Sequence, residues 1–378
     1  MHILEAGDKS APLLVLLHGF PELSYSWRDV ILPLAQLGFH VVAPDQRGYG
    51  RTQPLQDHAH AAIKFEDDLS PYSLLNLVHD IIALVFALGH TSVACVIGHD
   101  FGSSVAGFCA LVRPDLFRSL ILMSAPFPGA PPLPFAVESG PAATPQNRPA
   151  AVPAAVLDDA LARLDPPRQY YMRYFCGPGA NADMTASEEG LRAFLRAYFH
   201  VKSADWAGNA SPLPHALPMP ASVAGLARLP HYYVMPRGVD MPAAVGAHAP
   251  TAEEVARQSS RWLPDNVLEV YVQEFGRAGF QGGLNWYRTM LGEMDGKDWG
   301  LRMFSGKKVE VPAMFLAGKM DWGAFQSPGA LEKMQREVCV NMKDEDVVFV
   351  EDAGHWVQQE QPEDVVRHIR RFLEKQTS

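Results

Sequence analysis

The sequence predicts an α/β protein in which a mostly parallel, doubly wound sheet is interrupted by an inserted helical segment. Residues 13–17 (LLVLL) and 93–97 (VACVI) form short runs that are apolar throughout. Such runs are typical of parallel strands that are buried on both faces. Helical patterns lie between the runs, and this alternation favours a doubly wound sheet. The alternation stops after Ala125 and strand signals return at residues 313–317, so the insertion lies inside the α/β core.

The end signals of two helices can be read directly. Residues 73–88 carry apolar side chains at helical spacing, with Ser73 as the N-cap and Gly89 as the stop. A closing helix is expected over residues 362–375, with Pro362 near its first turn. Further strands are expected at residues 41–43, 120–123, 313–317 and 347–350.

The proline content divides the chain into three parts. Residues 127–153 contain eight prolines and cannot form regular structure. The pattern then becomes helical and aromatic up to about residue 300. We therefore expect residues 1–126 to form the first part of the α/β core, residues 127–299 a helical cap with a proline-rich linker, and residues 300–378 the second part of the core.

Composition and charge exclude several classes of protein. The 378 residues include 32 Lys+Arg and 42 Asp+Glu, which gives a net charge of −10. An acidic chain of this kind has no broad electrostatic attraction to nucleic acid or anionic lipid. The longest apolar run covers residues 81–88, far short of the ~20 residues that a membrane span needs. Because a signal-peptide pattern is also missing, we expect a cytoplasmic protein without a membrane span.

The spacing of the cysteines argues against a metal or redox site. Cys95, Cys109, Cys176 and Cys339 lie far apart, and no CxxC pair exists. We expect reduced, isolated thiols, no metal site and no cofactor.

The segment 98–102 (GHDFG) follows an expected strand and precedes a run of small residues. A strand-to-helix turn of this kind presents a nucleophile between two glycines, because little side-chain bulk fits there. Here Asp100 stands at the centre. A carboxylate with a pKa of about 3.9 is already ionised at neutral pH, so it can attack an sp3 carbon and form an ester without a base. The alternative interpretation is that Asp100 is only a turn residue or a helix N-cap.

Two further residues fit a relay with Asp100. Asp321 and His355 each follow an expected strand, and open α/β sheets place their sites at the carboxyl ends of strands. His355 would deprotonate water for hydrolysis of the ester, and Asp321 would orient the imidazole ring. Asp352 is a rival acid, although it stands only three residues before His355. So short a segment leaves little backbone for its side chain to reach around the imidazole ring. His355 could instead be one of the surface-loop histidines.

The loop at residues 18–21 (HGFP) follows the first strong strand. A backbone N–H from this loop, assigned to Phe20, would form an oxyanion hole together with the N–H of Phe101. It would stabilise the tetrahedral intermediate during ester hydrolysis.

Six segments of the chain, in order, resemble the soluble, fungal-like epoxide hydrolases of the α/β-hydrolase superfamily. Four lie in the core, at residues 18–22 (HGFPE), 47–50 (RGYG), 98–102 (GHDFG) and 354–356 (GHW). Two lie in the insertion, at residues 170–175 (YYMRYF) and 282–288 (GGLNWYR), and the second is the most specific. The resemblance covers nearly the whole chain and implies the α/β-hydrolase fold.

The resemblance implies that the protein converts a small-molecule epoxide plus water to a vicinal diol. Tyr171 and Tyr287 stand at the positions of the two cap tyrosines, which hydrogen-bond the epoxide oxygen and donate a proton to the alkoxide. Tyr170 and Tyr174 compete with Tyr171, and aromatic packing is the alternative for any one of them. A homo-oligomer is compatible with the sequence.

The substrate pocket is expected to be lined by Phe20, Pro21, Phe101, Trp286 and Trp356. The chain departs from the family at Phe101, where many members carry Trp. A second departure lies at the N-terminus, where the usual first edge strand is expected to be short or missing.

The closest rival is a haloalkane or haloacetate dehalogenase, which uses the same Asp and His. Those enzymes bind the leaving halide with side-chain N–H donors, whereas Phe20 and Phe101 offer none. Haloacetate enzymes also need arginines beside the nucleophile, where this chain has Phe101 and Ser104. A serine esterase is disfavoured because no GxSxG follows a strand. A non-catalytic binding protein of the same fold would be expected to lose a relay residue.

Overall fold

A seven-stranded sheet with strand order β1-β3-β2-β4-β5-β8-β9 forms the centre of the computed structural model. The structure describes residues 1–52, 62–133, 135, 154–210, 223–291 and 298–377. Only β1 runs antiparallel to its neighbour, and the other pairs are parallel. The predicted mostly parallel sheet is therefore confirmed. The strands are β1 (Ile3–Ala6), β2 (Leu13–Leu17), β3 (His40–Pro44), β4 (Val93–His99), β5 (Leu120–Met123), β6 (Arg168–Tyr170), β7 (Val234–Pro236), β8 (Ala313–Gly318) and β9 (Val347–Val350).

The α-helices lie between and after the strands. Their bounds are α1 (Arg28–Gln36), α2 (Leu74–Ala87), α3 (Phe101–Val112), α4 (Ala154–Ala162), α5 (Tyr171–Phe175), α6 (Ala180–Thr185), α7 (Leu191–Lys202), α8 (Val223–Leu226), α9 (Met241–Gly246), α10 (Ala252–Arg257), α11 (Asp265–Ala278), α12 (Gln281–Met290), α13 (Ala330–Lys333), α14 (Val357–Glu360) and α15 (Pro362–Thr377). Short 3-10 turns occupy Ser24–Trp27, Ser70–Tyr72, Ala207–Asn209, Ser259–Arg261, Asp298–Phe304, Trp322–Ala324 and Asp344–Asp346, and a π-turn occupies Met334–Val338.

The sheet is buried on both faces, as the uniformly apolar strands predict. Along β2, Leu13, Val15 and Leu17 belong to one hydrophobic cluster, whereas Leu14 and Leu16 belong to another. Helices α1 and α15 cover the second cluster, and α2, α3 and part of the insertion cover the first. Because successive side chains of a strand point to opposite faces, each face of the sheet needs its own layer of helices.

The two helix predictions are confirmed. The Ser73 side chain accepts a hydrogen bond from the N–H of Asn76 at the start of α2, and Gly89 follows the helix with φ +84°. Helix α15 begins at Pro362 and continues to Thr377. A short edge strand, β1, pairs with β3 ahead of the first strand that the apolar runs indicate.

The insertion between β5 and β8 contains more than the expected helices. Strands β6 and β7 pair antiparallel in a two-stranded ribbon, which the sequence did not predict. Each strand is three residues long, too short for an alternating pattern to be visible. Much of the predicted proline-rich linker, at residues 136–153, lies outside the described residues.

Candidate active site

Asp100 occupies a strained turn between β4 and α3. Its backbone has φ 52° and ψ −120°, a region that residues other than glycine rarely adopt. A Cβ atom at Gly98 would lie 2.1 Å from the carbonyl oxygen of Gly102, and one at Gly19 would lie 2.4 Å from the Cβ of Asp100. Gly19 and Gly98 therefore leave the space in which this turn can exist, and the turn holds the carboxylate above the end of the sheet.

The structure brings Asp100, Asp321 and His355 together. The Nε2 atom of His355 lies 3.3 Å from Oδ2 of Asp100, and its Nδ1 atom lies 3.1 Å from Oδ1 of Asp321. Strands β4, β8 and β9 all end at the same edge of the sheet and deliver these three residues. The side chain of Asp352, the rival acid, is exposed. The backbone carbonyl of Asp352 accepts a hydrogen bond from the side-chain amide of Gln361.

Electrostatics keep the Asp100 carboxylate ionised. Burial alone would raise the pKa of Asp100, but the hydrogen bond and charge of His355 outweigh it, with help from Lys202 and His99. The pKa of Asp100 therefore lies well below its usual range. Burial likewise opposes ionisation of Asp321, and His355 again lowers the pKa below its ordinary value. Both carboxylates are thus charged at neutral pH, as a nucleophile and an imidazole partner need to be.

The loop after β2 contacts the same carboxylate. The backbone N–H of Phe20 donates a hydrogen bond of 3.0 Å to Oδ1 of Asp100. Phe101 is the first residue of α3, and the first N–H groups of a helix have no acceptor within the helix. The N–H of Phe20 therefore points at the Asp100 carboxylate, and the N–H of Phe101, next to Asp100 in the chain, needs an acceptor outside the helix.

Tyr171 and Tyr287 come from separate helices of the insertion, α5 and α12, and both are buried. Their ring centroids lie 6.1 Å apart. Burial raises the pKa of each hydroxyl well above 10, and the negative charge of Asp100 raises it further. Both tyrosines therefore carry their protons at neutral pH and can act as hydrogen-bond donors.

The rival tyrosines of the first cap segment have other partners. The hydroxyl of Tyr174 donates to Oδ2 of Asp183 at 2.9 Å. The hydroxyl of Tyr170 donates to Oε1 of Gln326 at 2.9 Å, and that of Tyr171 donates to the same oxygen at 3.4 Å. The bond of Tyr171 is long, so its hydroxyl is the least committed of the three.

Four of the five expected pocket residues make ring contacts with one another or with Tyr287 and His355. Phe20, whose peptide bond to Pro21 is cis, and Phe101 both pack against the Tyr287 ring, with centroids 5.5 and 5.3 Å away. The two tryptophans are held by backbone carbonyls: the indole N–H of Trp286 donates to Arg47, and that of Trp356 donates to Phe199. Trp286 packs on Phe101, and Trp356 packs on His355.

A buried ion pair beneath the site was not foreseen. The Nδ1 atom of His99 donates to Oε2 of Glu22 at 2.5 Å, and its Nε2 atom donates to the backbone carbonyl of His355 at 2.7 Å. Burial alone would lower the pKa of His99, but the charge of Glu22 raises it to about 8. Glu22 also accepts from the N–H of Gly19. The pair therefore links the loop of Phe20 to the loop of His355. The sequence offered only one sign of this pair: the segment HGFPE (18–22) ends in an acid, and the separate segment GHDFG (98–102) has a histidine before Asp100.

Replacing Glu22 with Gln is expected to lower the free energy of unfolding by on the order of 2 kcal/mol below about pH 6.5, because His99 loses the charge that raises its pKa from 6.5 to about 8. A raised pKa in the folded state stabilises the protein below the unfolded pKa, and that contribution is lost as the pH rises through the folded value. The difference between wild type and Glu22→Gln should therefore shrink above pH 8 in urea denaturation. A difference that grows with pH would contradict the pairing.

A second set of contacts joins the His355 loop to the insertion. The N–H of His355 donates to the backbone carbonyl of Lys202 at 2.8 Å. The Glu360 carboxylate accepts from the N–H groups of Ala204, Gly354 and Trp356. The backbone on either side of His355 is thus fixed to the C-terminal end of α7, which limits how far the imidazole can move.

The described part of the chain contains no group of three or more His, Cys, Asp or Glu side chains arranged to hold a metal ion. Within that same part, no helix is long and apolar enough to cross a bilayer.

Comparisons with known proteins agree with this geometry. A family model described as the alpha/beta hydrolase fold matches residues 12–172. The chain is 31% identical over 386 residues to "Epoxide hydrolase B" of Mycobacterium tuberculosis, and the match covers 97% of this chain and 92% of that protein. It is 29% identical to "Epoxide hydrolase 3" of Siraitia grosvenorii, with coverage of 99% and 95%.

A solved structure gives the same result. The fold superimposes on an epoxide hydrolase from an endophytic Streptomyces with a TM-score of 0.70, at 29% identity over 99% of this chain and 91% of the other. The chain belongs to the epoxide hydrolases of the α/β-hydrolase fold.

Proposed function

We propose that this epoxide hydrolase works through a covalent alkyl ester on Asp100. The observation that carries the proposal is the position of His355, which lies 3.3 Å from the carboxylate of Asp100 and 3.1 Å from that of Asp321. An imidazole in this position can activate a water molecule beside an ester on Asp100 and can share the resulting charge with Asp321.

In the first step, an oxygen of the Asp100 carboxylate forms a bond to one epoxide carbon. The bond from that carbon to the epoxide oxygen breaks, and its electron pair goes to the oxygen. An alkoxide is a poor leaving group, so Tyr171 and Tyr287 hydrogen-bond this oxygen and one of them transfers its proton. The high pKa of both hydroxyls supports this role, because both arrive at the reaction protonated.

In the second step, His355 takes a proton from water, and the hydroxide attacks the carbonyl carbon of the ester. The N–H groups of Phe20 and Phe101 stabilise the tetrahedral oxyanion. The intermediate expels the second oxygen of the diol, which takes the proton of the newly formed Asp100 carboxyl group. The proton on His355 restores the tyrosine, so one epoxide and one water give one diol.

The proposed cap, residues 127–299, supplies both tyrosines, whereas the core supplies the nucleophile and the base. Closure of the site between these two parts excludes bulk water, which strengthens the hydrogen bonds to the developing alkoxide.

Conversion of styrene oxide or an alkyl epoxide to its vicinal diol tests the substrate class. We expect diol formation without added metal or cofactor, because two buried tyrosine donors lie close enough to feel the charge of Asp100, while the side chains of Phe20 and Phe101 offer no donor for a halide. Product analysis with 1-bromo- and 1-chloroalkanes in parallel is the control. Halide release at a comparable rate, with no diol from any epoxide, would instead support a dehalogenase.

A further inference from the structure

Lys202, the last residue of α7, is buried inside a group of aromatic rings. Its side chain is 3% exposed, and Nζ lies 4.9–5.8 Å from the ring centroids of Tyr198, Tyr232, Tyr233 and Trp356. Within the part of the chain that the structure describes, this ammonium group has no hydrogen bond and no ion pair. Ring faces attract a cation but accept none of the hydrogen bonds that an ammonium group can donate.

The contrast with Arg288 shows how unusual this is. Arg288, the other buried lysine or arginine side chain among the described residues, donates to the carbonyl of Phe65 and to the side chain of Asn285. Buried charges are normally paired or hydrogen-bonded in this way. Burial lowers the pKa of Lys202, opposed by the charges of Asp100 and Asp321. Lys202 is therefore close enough to feel the charges of Asp100 and Asp321, while its own donors remain unused.

The hydroxyl of Tyr233 is a second unused polar group at the same place. The side chain is 1% exposed, and its oxygen has no hydrogen-bond partner among the described residues. The ring packs edge-on against Tyr171, with centroids 5.2 Å apart, and its backbone carbonyl accepts from the N–H of Tyr171. Burial raises the pKa of Tyr233, and Asp321 and Asp100 raise it further, so the hydroxyl feels the same charges as Lys202.

We propose that Lys202 and Tyr233 form a polar subsite that binds a carboxylate substituent of the epoxide substrate. The inference rests on the proposed function and names the substrate class that the site prefers. A carboxylate offers two oxygen atoms, one for the ammonium group and one for the phenol, and charge-assisted hydrogen bonds of this type are the strong ones. Binding would satisfy two buried groups that the folded protein leaves without partners.

A charged ligand matches the ammonium group of Lys202 better than an uncharged one. Asp100 and Asp321 both lie beside His355, and Glu22 is paired with His99. Lys202 feels the charges of Asp100 and Asp321, but it forms no ion pair with either carboxylate. An amide of the same shape could accept a hydrogen bond, but it would not place a negative charge in contact with the ammonium group.

Inhibition of styrene oxide hydrolysis by phenylacetate and by phenylacetamide tests the subsite. We expect phenylacetate to inhibit the wild type about tenfold more tightly than the amide, or more, because hydrogen bonds to buried charged groups are stronger than those between neutral groups. Lys202→Met should abolish the preference, and Tyr233→Phe should reduce it. Lys308→Met, which removes one exposed lysine charge, is the matched control and should keep it.

Substrates give a second readout. The ratio of kcat/KM for 3-phenylglycidate to that for 3-phenylglycidamide should fall about tenfold in Lys202→Met relative to wild type. This double ratio cancels the intrinsic reactivity of the two epoxides. If Lys202→Met does not fold, as judged by circular dichroism, Lys202→Gln and Tyr233→Phe serve instead.

Equal inhibition by acid and amide in the wild type would overturn the subsite, as would a preference that persists in Lys202→Met. Formation of diol from styrene oxide in the same assays separates the two proposals. Diol without a carboxylate preference removes only the subsite, whereas absence of diol from every epoxide removes the proposed function. In that last case, calorimetric binding of phenylacetate to wild type and Lys202→Met still decides whether the subsite exists.

Discussion

The His355→Gln variant is expected to react once with an epoxide and then to stop. When the imidazole is removed, Asp100 keeps the hydrogen bond from the N–H of Phe20 and the positive charges of Lys202 and His99, which still lower its pKa. We therefore expect it to stay ionised at neutral pH and to form the ester without His355. Hydrolysis of the ester does need it, because removing a general base slows such a step by about 10²–10⁴-fold. Intact-protein mass spectrometry after mixing with substrate should show an adduct equal to the mass of one epoxide molecule.

Peptide mapping should place the adduct on Asp100. Asp100→Ala is the control and should acquire none. The Gln side chain retains a polar group beside Asp321, so the variant tests loss of the base with little loss of volume. An inactive His355→Gln protein that binds substrate, is folded and still never gains the adduct would point to direct attack of water on the epoxide. Asp100 would then not be the nucleophile.

Local patterns predict much of this molecule because its strands are buried on both faces. The runs in β2, β4 and β5 are apolar, and short runs of this kind are typical of strands that are buried on both faces. Once the strands were placed, the rule that sites lie at their carboxyl ends selected Asp100, Asp321 and His355 out of many acids and histidines. The assignment of their roles remains a prediction, supported by the distances between them.

Residues that depend on distant packing could not be found in this way. Lys202 stands at the end of an amphipathic helix, where a lysine is ordinarily solvated. Only the approach of Trp356 and of the segment before β7 buries it. The partner of Glu22 was equally hidden, because 77 residues separate it from His99. The ribbon of β6 and β7 also depends on pairing across the insertion.

The double variant Tyr171→Phe with Tyr287→Phe is expected to lose epoxide opening beyond detection, whereas each single variant should be slowed but active. Both hydroxyls serve one oxygen, so removing one leaves the other to hold the alkoxide. The effects of the two single changes should therefore not add. Rapid-mixing measurement of ester formation in the His355→Gln background isolates this step from hydrolysis.

Tyr174→Phe is the matched control, because it removes a tyrosine hydroxyl from the same helix as Tyr171. The hydroxyl of Tyr174 already donates to Asp183, so its removal should not slow epoxide opening. Each Phe substitution keeps the ring, so the packing of Tyr171 against Phe175 and of Tyr287 against Phe101 is retained. A full rate in Tyr171→Phe together with a slow rate in Tyr174→Phe would show that the register of the first cap segment is wrong. Measurable ester formation in the double variant would mean that another group protonates the alkoxide. Without a hydrogen-bond donor or a proton, the bond from carbon to the epoxide oxygen breaks too slowly, and ring packing alone supplies neither.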